Sequence, residues 1–68
     1  MSLLGAARKR FASQGFAGTS VRDIADEAGV HPALVTYHFA GKRILWERVL
    51  SEAMTELVAA ITARVTDV

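Results

Sequence analysis

The chain has 68 residues and no cysteine, with eight lysine and arginine residues against seven aspartate and glutamate residues. The absence of cysteine excludes zinc fingers and disulfide-bonded scaffolds, and no apolar run reaches membrane-spanning length. The near-neutral total conceals an asymmetry, because residues 1–46 carry six basic and three acidic residues whereas residues 47–68 carry two and four. We therefore expect any polyanionic partner at the N-terminal end. No signal peptide precedes this region, so a cytoplasmic location is expected.

The first predicted helix covers about residues 3–15. Its apolar side consists of Leu4, Ala7 and Phe11. Gly15 is placed to end the helix, and Phe16 is expected to fold inward after it. The basic run at residues 8–10 is interpreted mainly as a solvated face of this helix, and the alternative is that one of these residues contacts a distant phosphate.

The second predicted helix covers about residues 20–28. Ser20 is a favourable N-cap residue, and Asp23 lies three positions later, as in a capping box. The apolar stripe of this helix consists of Val21, Ile24, Ala25 and Ala28. Gly29 is suited to the left-handed conformation that ends a helix, and Val30 can supply the accompanying apolar contact.

The third predicted helix covers about residues 32–38 and points an unusual set of side chains outward. Pro32 suits the first helical position and His31 is then the N-cap. With Val35 turned toward the core, His31 and Phe39 fall on the inner side, with Pro32 and His38 at its rim. The outward residues are Ala33, Leu34, Thr36 and Tyr37.

This outer face is uncharged, whereas an ordinary solvent-facing helix would present lysine, glutamate or glutamine. A small Ala33 allows close approach to a surface, Leu34 can contact a thymine methyl group, and two hydroxyls can reach phosphates or base edges. A helix-turn-helix that binds DNA explains such a face. The alternative is that Leu34 and Tyr37 are covered by another part of the chain or by a partner protein.

The last predicted helix covers about residues 42–65. Its apolar residues recur at helical spacing and are Leu45, Trp46, Val49, Leu50, Ala53, Leu57, Ala60 and Ile61. Trp46 is expected to anchor this helix against the first one. A three-helix core is too short to cover Leu57, Ile61 and Val65, so we expect these side chains to lie exposed unless a further surface packs on them.

The order and spacing of these segments resemble the N-terminal DNA-binding domain of the tetracycline-repressor (TetR) family of bacterial transcription regulators. The resemblance runs without a gap from about Leu3 to Leu50. The stretches that carry it are Leu3–Ala12, Gly15-Phe16, Thr19–Ala25, Ala28–Val30, Tyr37–Phe39 and Lys42. It implies an all-α fold: a three-helix, homeodomain-like domain with its helix-turn-helix at residues 20–39, followed by a long fourth helix.

The resemblance also implies a set of DNA-contacting positions. They are Thr19, Ser20, Arg22, His31, Pro32, Ala33, Leu34, Thr36, Tyr37, His38 and Lys42. Arg22 is the candidate for a bidentate contact to guanine, while Tyr37, His38 and Lys42 would hold phosphates and set the register. Lys42 and Arg43 lie in the first turn of the last helix, where the helix dipole disfavours cations, and a nearby phosphate would reverse that penalty.

Departures from the family pattern bear on sequence preference. His31 replaces a common serine cap, Thr36 occupies a position often held by tyrosine, and Gly41 stands where serine often caps the last helix. The first two lie on or beside the helix that would read the operator, so the preferred DNA sequence does not follow from the resemblance.

The functional expectation is a transcriptional regulator, most simply a repressor, that binds a pseudo-palindromic operator as a dimer. In the family, a C-terminal domain dimerises and binds a small effector; that domain is expected to be missing from these 68 residues, which would be a fragment or an isolated domain. No cofactor, metal site or catalysis is expected, since the two histidines are seven positions apart and no phosphate-cradling loop occurs. The alternative is a small helical protein-interaction module.

Overall fold

The structure is a computed structural model that describes residues 2–66 as four helices without strands in that range. The helices are α1 (Leu3–Gln14), α2 (Val21–Ala28), α3 (Pro32–His38) and α4 (Lys42–Thr66). The all-α prediction is confirmed, and each observed helix end lies within one residue of the predicted one.

Local hydrogen bonds explain where α2 and α3 begin and end. The Ser20 hydroxyl accepts from the Asp23 amide, and the Asp23 carboxylate accepts from the Ser20 amide, which completes the predicted capping box. Gly29 adopts the left-handed conformation at φ 73° and ψ 32°, and the Val30 amide reaches back to the Ala25 carbonyl at 3.0 Å. These bonds leave a short turn that joins the two helices of the helix-turn-helix.

The core lies where α1 packs against α2 and α4, and where α2 packs against α3. Its buried apolar residues are Ala6, Ala7, Phe11, Ile24, Ala25, Val35, Leu45 and Val49. Ile24, Val35 and Leu45 are completely buried, and full burial of an aliphatic side chain of this size stabilises a fold by about 1.5–3 kcal/mol. The single inward residue Val35 thus fixes which side of α3 remains outside.

Three aromatic rings join α1 to α4. The Trp46 ring lies edge-on to Phe11 at a centroid distance of 5.0 Å, so its predicted role as an anchor against the first helix is confirmed. Phe16 packs against both rings, at 6.0 Å from Phe11 and 5.4 Å from Trp46. Phe16 is nevertheless 36% exposed, so the predicted inward fold is only partial.

Arg8 and Lys9 are exposed and Arg10 is partly exposed, as a solvated face requires, but all three cations are also paired with carboxylates on other helices. Arg8 bonds Glu56 of α4 at 2.7 Å, while Lys9 and Arg10 both bond Glu27 of α2 at 3.0 Å. The hydrogen bond from Lys9 lowers the pKa of Glu27, and the bond from Arg8 lowers the pKa of Glu56. These partners lie 17 to 48 positions away in sequence, beyond the reach of helical periodicity.

The second half of α4 extends beyond the core, and the molecule measures 47 × 21 × 19 Å. From Leu50 onward, the exposed large apolar side chains of α4 are Leu50, Met54, Leu57, Val58, Ile61 and Val65. The predicted exposure of Leu57, Ile61 and Val65 is confirmed. Within residues 2–66, none of the helices combines the length and the hydropathy needed to cross a membrane.

Candidate nucleic-acid interface

The outer face of α3 is open to solvent along its whole length. Ala33, Leu34, Thr36 and Tyr37 are all exposed, as predicted. Tyr37 is 83% exposed and Leu34 is 40% exposed, although both are large side chains. The described chain leaves Tyr37 almost uncovered and covers Leu34 only in part, so the intramolecular form of the alternative interpretation is contradicted for Tyr37 within residues 2–66. An uncharged surface carrying a methyl-rich side chain and two hydroxyls suits base edges and phosphates.

The two histidines of this segment lie outside, which corrects their predicted place on the inner side and its rim. The His31 Nδ1 atom accepts a hydrogen bond from the Ala33 amide at 3.0 Å, so the ring caps α3 and lies exposed. His38 is exposed and packs edge-on against the Tyr37 ring at 5.2 Å. The inner side of a seven-residue helix is narrow, and Val35 with Phe39 already fills it. Pro32 is partly buried, as a residue at the rim should be.

Thr19 and Ser20 precede α2 but have different surroundings. The Thr19 side chain is only 2% exposed, and its hydroxyl donates to the carbonyls of Gly15 at 2.8 Å and Arg10 at 3.1 Å. Its side chain is therefore withdrawn from the surface that was predicted to meet DNA, because it ties the turn to the end of α1. Ser20 is exposed at the N-terminus of α2, where amide groups and the helix dipole favour an anion.

Asp23 lies beside the start of α2, and its negative charge would repel a phosphate. The backbone hydrogen bond from Ser20 lowers the pKa of Asp23, which holds the carboxylate ionised in the capping box. The carboxylate already accepts the Ser20 amide, and the Ser20 hydroxyl accepts the Asp23 amide. Two amides at the start of α2 are thus satisfied internally, so an anion would be bound by the amides of Val21 and Arg22 between them.

Arg22 and Lys42 are the two predicted DNA-contacting cations, and neither is paired with a carboxylate within residues 2–66. Arg22 is exposed on the first turn of α2, and no described residue accepts a hydrogen bond from it. Lys42 donates from Nζ to the Phe16 carbonyl at 2.8 Å and lies 4.2 Å above the Phe16 ring. The adjacent Arg43 instead forms a pair with Glu47 at 3.4 Å.

The sequence profile of bacterial regulatory proteins of the tetR family matches residues 3–49 of the chain. The chain belongs to this family. Membership places it among bacterial regulatory proteins, and the match extends over all of α1, α2 and α3 and the first turns of α4.

Relatives of this tetR-family chain include a probable HTH-type transcriptional regulator, YttP, of Bacillus subtilis (strain 168). The two are 50% identical over 42 residues, which cover 62% of this chain and 20% of YttP. Crystal structures of two HlyIIR mutant proteins match with 42% identity and a TM-score of 0.71 over 74% of this chain and 28% or 27% of theirs. The chain therefore spans about a fifth of YttP and just over a quarter of HlyIIR.

Two features of the tetR-family interface were not predicted from the sequence. One is the contact between Phe16 and Lys42, which joins residues 26 positions apart. The other is Gly18, where an added Cβ would meet the Gln14 carbonyl oxygen at 2.3 Å. Only glycine fits this close approach of the backbone, and its place directly before Thr19 and the cap of α2 is the sequence feature that could have revealed it.

The described residues contain no group of three or more histidine, aspartate or glutamate side chains that could bind a metal ion. The chemistry available on this surface is thus hydrogen bonding, apolar contact and positive charge.

Proposed function

We propose that the chain binds operator DNA sequence-specifically and that α3 enters the major groove. The observation that supports this best is the composition of the exposed face of α3, where Ala33, Leu34, Thr36 and Tyr37 are uncovered while Val35 is completely buried. A major groove about 12 Å wide accommodates a helix of this kind and presents a distinct pattern of donors, acceptors and methyl groups at each base pair.

In this proposal, the side chains around α3 contact different parts of the DNA. Arg22 contacts a base edge with its guanidinium group, since its donors have no acceptor in residues 2–66. Tyr37, His38 and Lys42 contact phosphates and set the register of the domain on the duplex. Ser20 and the first amides of α2 bind a further phosphate. His31 and Pro32 line the entry of α3, whereas Thr19 has no contact with DNA and holds the turn before α2, since its hydroxyl and its amide are already bonded within the domain.

We further propose that the complete protein acts as a repressor, without a cofactor or a catalytic step, and in the cytoplasm. Two copies would bind half-sites of a pseudo-palindromic operator about 34–36 Å apart, or a multiple of this distance. A small effector bound to a C-terminal domain would favour a dimer in which the distance between the two α3 helices no longer matches the half-sites of the operator. The small share of YttP and HlyIIR that the chain spans supports a further domain.

Selection of bound duplexes from a random DNA pool, followed by a salt titration on the selected sequence, tests the proposal. The logarithm of the binding constant should fall linearly and steeply with the logarithm of the salt concentration, because each phosphate contact releases counterions. The rival is a protein-interaction module that uses Leu34 and Tyr37, and it predicts no enriched sequence. Failure of the dimeric form to bind any duplex at low salt would overturn the proposal.

A further inference from the structure

The ammonium group of Lys42 is held in place by a residue that carries no charge. Its Nζ atom donates to the Phe16 carbonyl at 2.8 Å and lies 4.2 Å above the centre of the Phe16 ring. The same carbonyl accepts the Thr19 amide at 3.3 Å, so the lysine head group is tied to the turn that leads into α2. Phe16 is itself fixed by its ring contacts with Phe11 and Trp46.

The contact of Lys42 with Phe16 differs from the ion pairs on α1, because it leaves the charge and two donors of the ammonium group available. An ammonium group has three donors, and the Phe16 carbonyl occupies one of them. A carbonyl dipole and an aromatic face attract a cation without cancelling its charge. The helix dipole disfavours a cation at the first turn of α4. The ring and the carbonyl of Phe16 offset this cost, while the charge of Lys42 and its two other donors remain available.

We propose that Phe16 is a positioning residue that presents the Lys42 ammonium group to a DNA phosphate. This inference rests on the proposed function, since it assumes that Lys42 contacts the DNA backbone. Lysine is among the side chains that lose most rotamer freedom when they are immobilised. A lysine already held by a ring and a carbonyl loses less on binding, so the same phosphate contact gives a tighter complex.

A double-mutant cycle between Phe16 and Lys42, measured on DNA binding, tests the inference. The variants are Phe16→Leu, which removes the ring, Phe16→Tyr, which keeps an aromatic face, Lys42→Ala, and Phe16→Leu combined with Lys42→Ala. Phe11→Leu is the matched control, because it removes a ring of the same cluster that does not touch Lys42. Dissociation constants are measured on the selected duplex and on a scrambled one, at a temperature where circular dichroism shows each variant folded.

We expect Phe16→Leu to weaken binding roughly two- to fivefold on both duplexes, as loss of an exposed cation–π contact would. The loss should vanish in the Lys42→Ala background and should not appear in Phe16→Tyr or Phe11→Leu. The inference is overturned if Phe16→Leu costs the same affinity with or without Lys42, or if Phe16→Tyr is as weak as Phe16→Leu. An equal loss in Phe11→Leu would likewise show an effect of folding rather than of positioning.

The failure of the proposed function gives a different result. If the unaltered protein in its dimeric form binds neither duplex at low salt, DNA binding itself is refuted and the inference with it. If the unaltered chain binds the selected duplex but Lys42→Ala has no effect on either duplex, the proposed function stands and the positioning role of Phe16 is refuted.

Discussion

Two groups of cations in this small domain differ in whether a carboxylate neutralises them. The basic run at residues 8–10 is paired with Glu27 and Glu56, and three cations share two carboxylates there. Arg22 lies on the first helix of the helix-turn-helix and Lys42 follows its second helix, and neither has a carboxylate partner within residues 2–66. The first group joins helices to one another, whereas the charges of the second group are not neutralised by a carboxylate.

The difference qualifies what net charge can reveal about a DNA-binding surface. The N-terminal two thirds of the chain is basic by count, and half of its six lysine and arginine residues lie in the paired run. A nearby carboxylate reduces the local potential that attracts a polyanion. We therefore expect the position of an unpaired cation to be a better guide to the proposed interface than the density of basic residues.

The largest effect should come from Arg22, and its matched control is Arg8. Arg22→Ala should weaken binding to the selected operator by about 1–3 kcal/mol and relax the preference at one base pair, because a guanidinium contact to a base edge is lost. Arg8→Ala removes the same side chain from a paired site on α1 and should leave affinity and preference unchanged. Repeating the selection of bound sequences with both variants measures this. Unchanged specificity in Arg22→Ala would refute its base-reading role.

A smaller and sequence-independent effect is expected at Lys42, with Lys9 as its control. Lys42→Ala should weaken binding to all duplexes and lower the slope of the salt dependence by about 0.9 for each bound copy, since each copy loses one phosphate contact. Lys9→Ala should leave the slope unchanged, because Glu27 already neutralises that ammonium group at 3.0 Å. Equal changes of slope in the two variants would contradict the distinction between the paired and the unpaired group.

The smallest effect concerns stability rather than DNA binding. The pKa of Glu27 is lowered in the folded state by the hydrogen bond from Lys9 and the charges of Lys9 and Arg10. Its stabilising contribution is thus present above the ordinary glutamate pKa and is lost as the pH falls through the lowered folded value. Glu27→Gln should reduce the thermal midpoint slightly at pH 7 and flatten its decline toward pH 3. An unchanged acid profile in thermal melts would show that the pair does not contribute.

The sequence predicted what depends on short-range chemistry. Ser20 with Asp23 and Gly29 mark helix ends through bonds to residues within four positions, and Pro32 marks the start of α3 because it lacks the amide that would have no partner there. The helix bounds therefore follow from the sequence with little error. The outward side of α3 follows from one inward residue, Val35, and the helical repeat.

The sequence did not predict contacts that depend on how the helices pack. The Arg8–Glu56 pair spans 48 positions, and the contact of Lys42 with Phe16 spans 26. Thr19 was assigned to the DNA surface through the family resemblance, yet its hydroxyl is turned toward the carbonyls at the end of α1. The exposure of His31 likewise follows from a hydrogen bond of its ring, which periodicity does not encode.

Amide chemical-shift mapping of the chain during titration with the selected operator duplex tests the central claim most directly. We expect the largest shifts at Ser20, Arg22, Lys42 and residues 31–38, with little change at the paired run of residues 8–10. Shifts centred on that run, or on the exposed apolar side chains of the second half of α4, would contradict the proposal that α3 and its two unpaired cations form the DNA-binding surface.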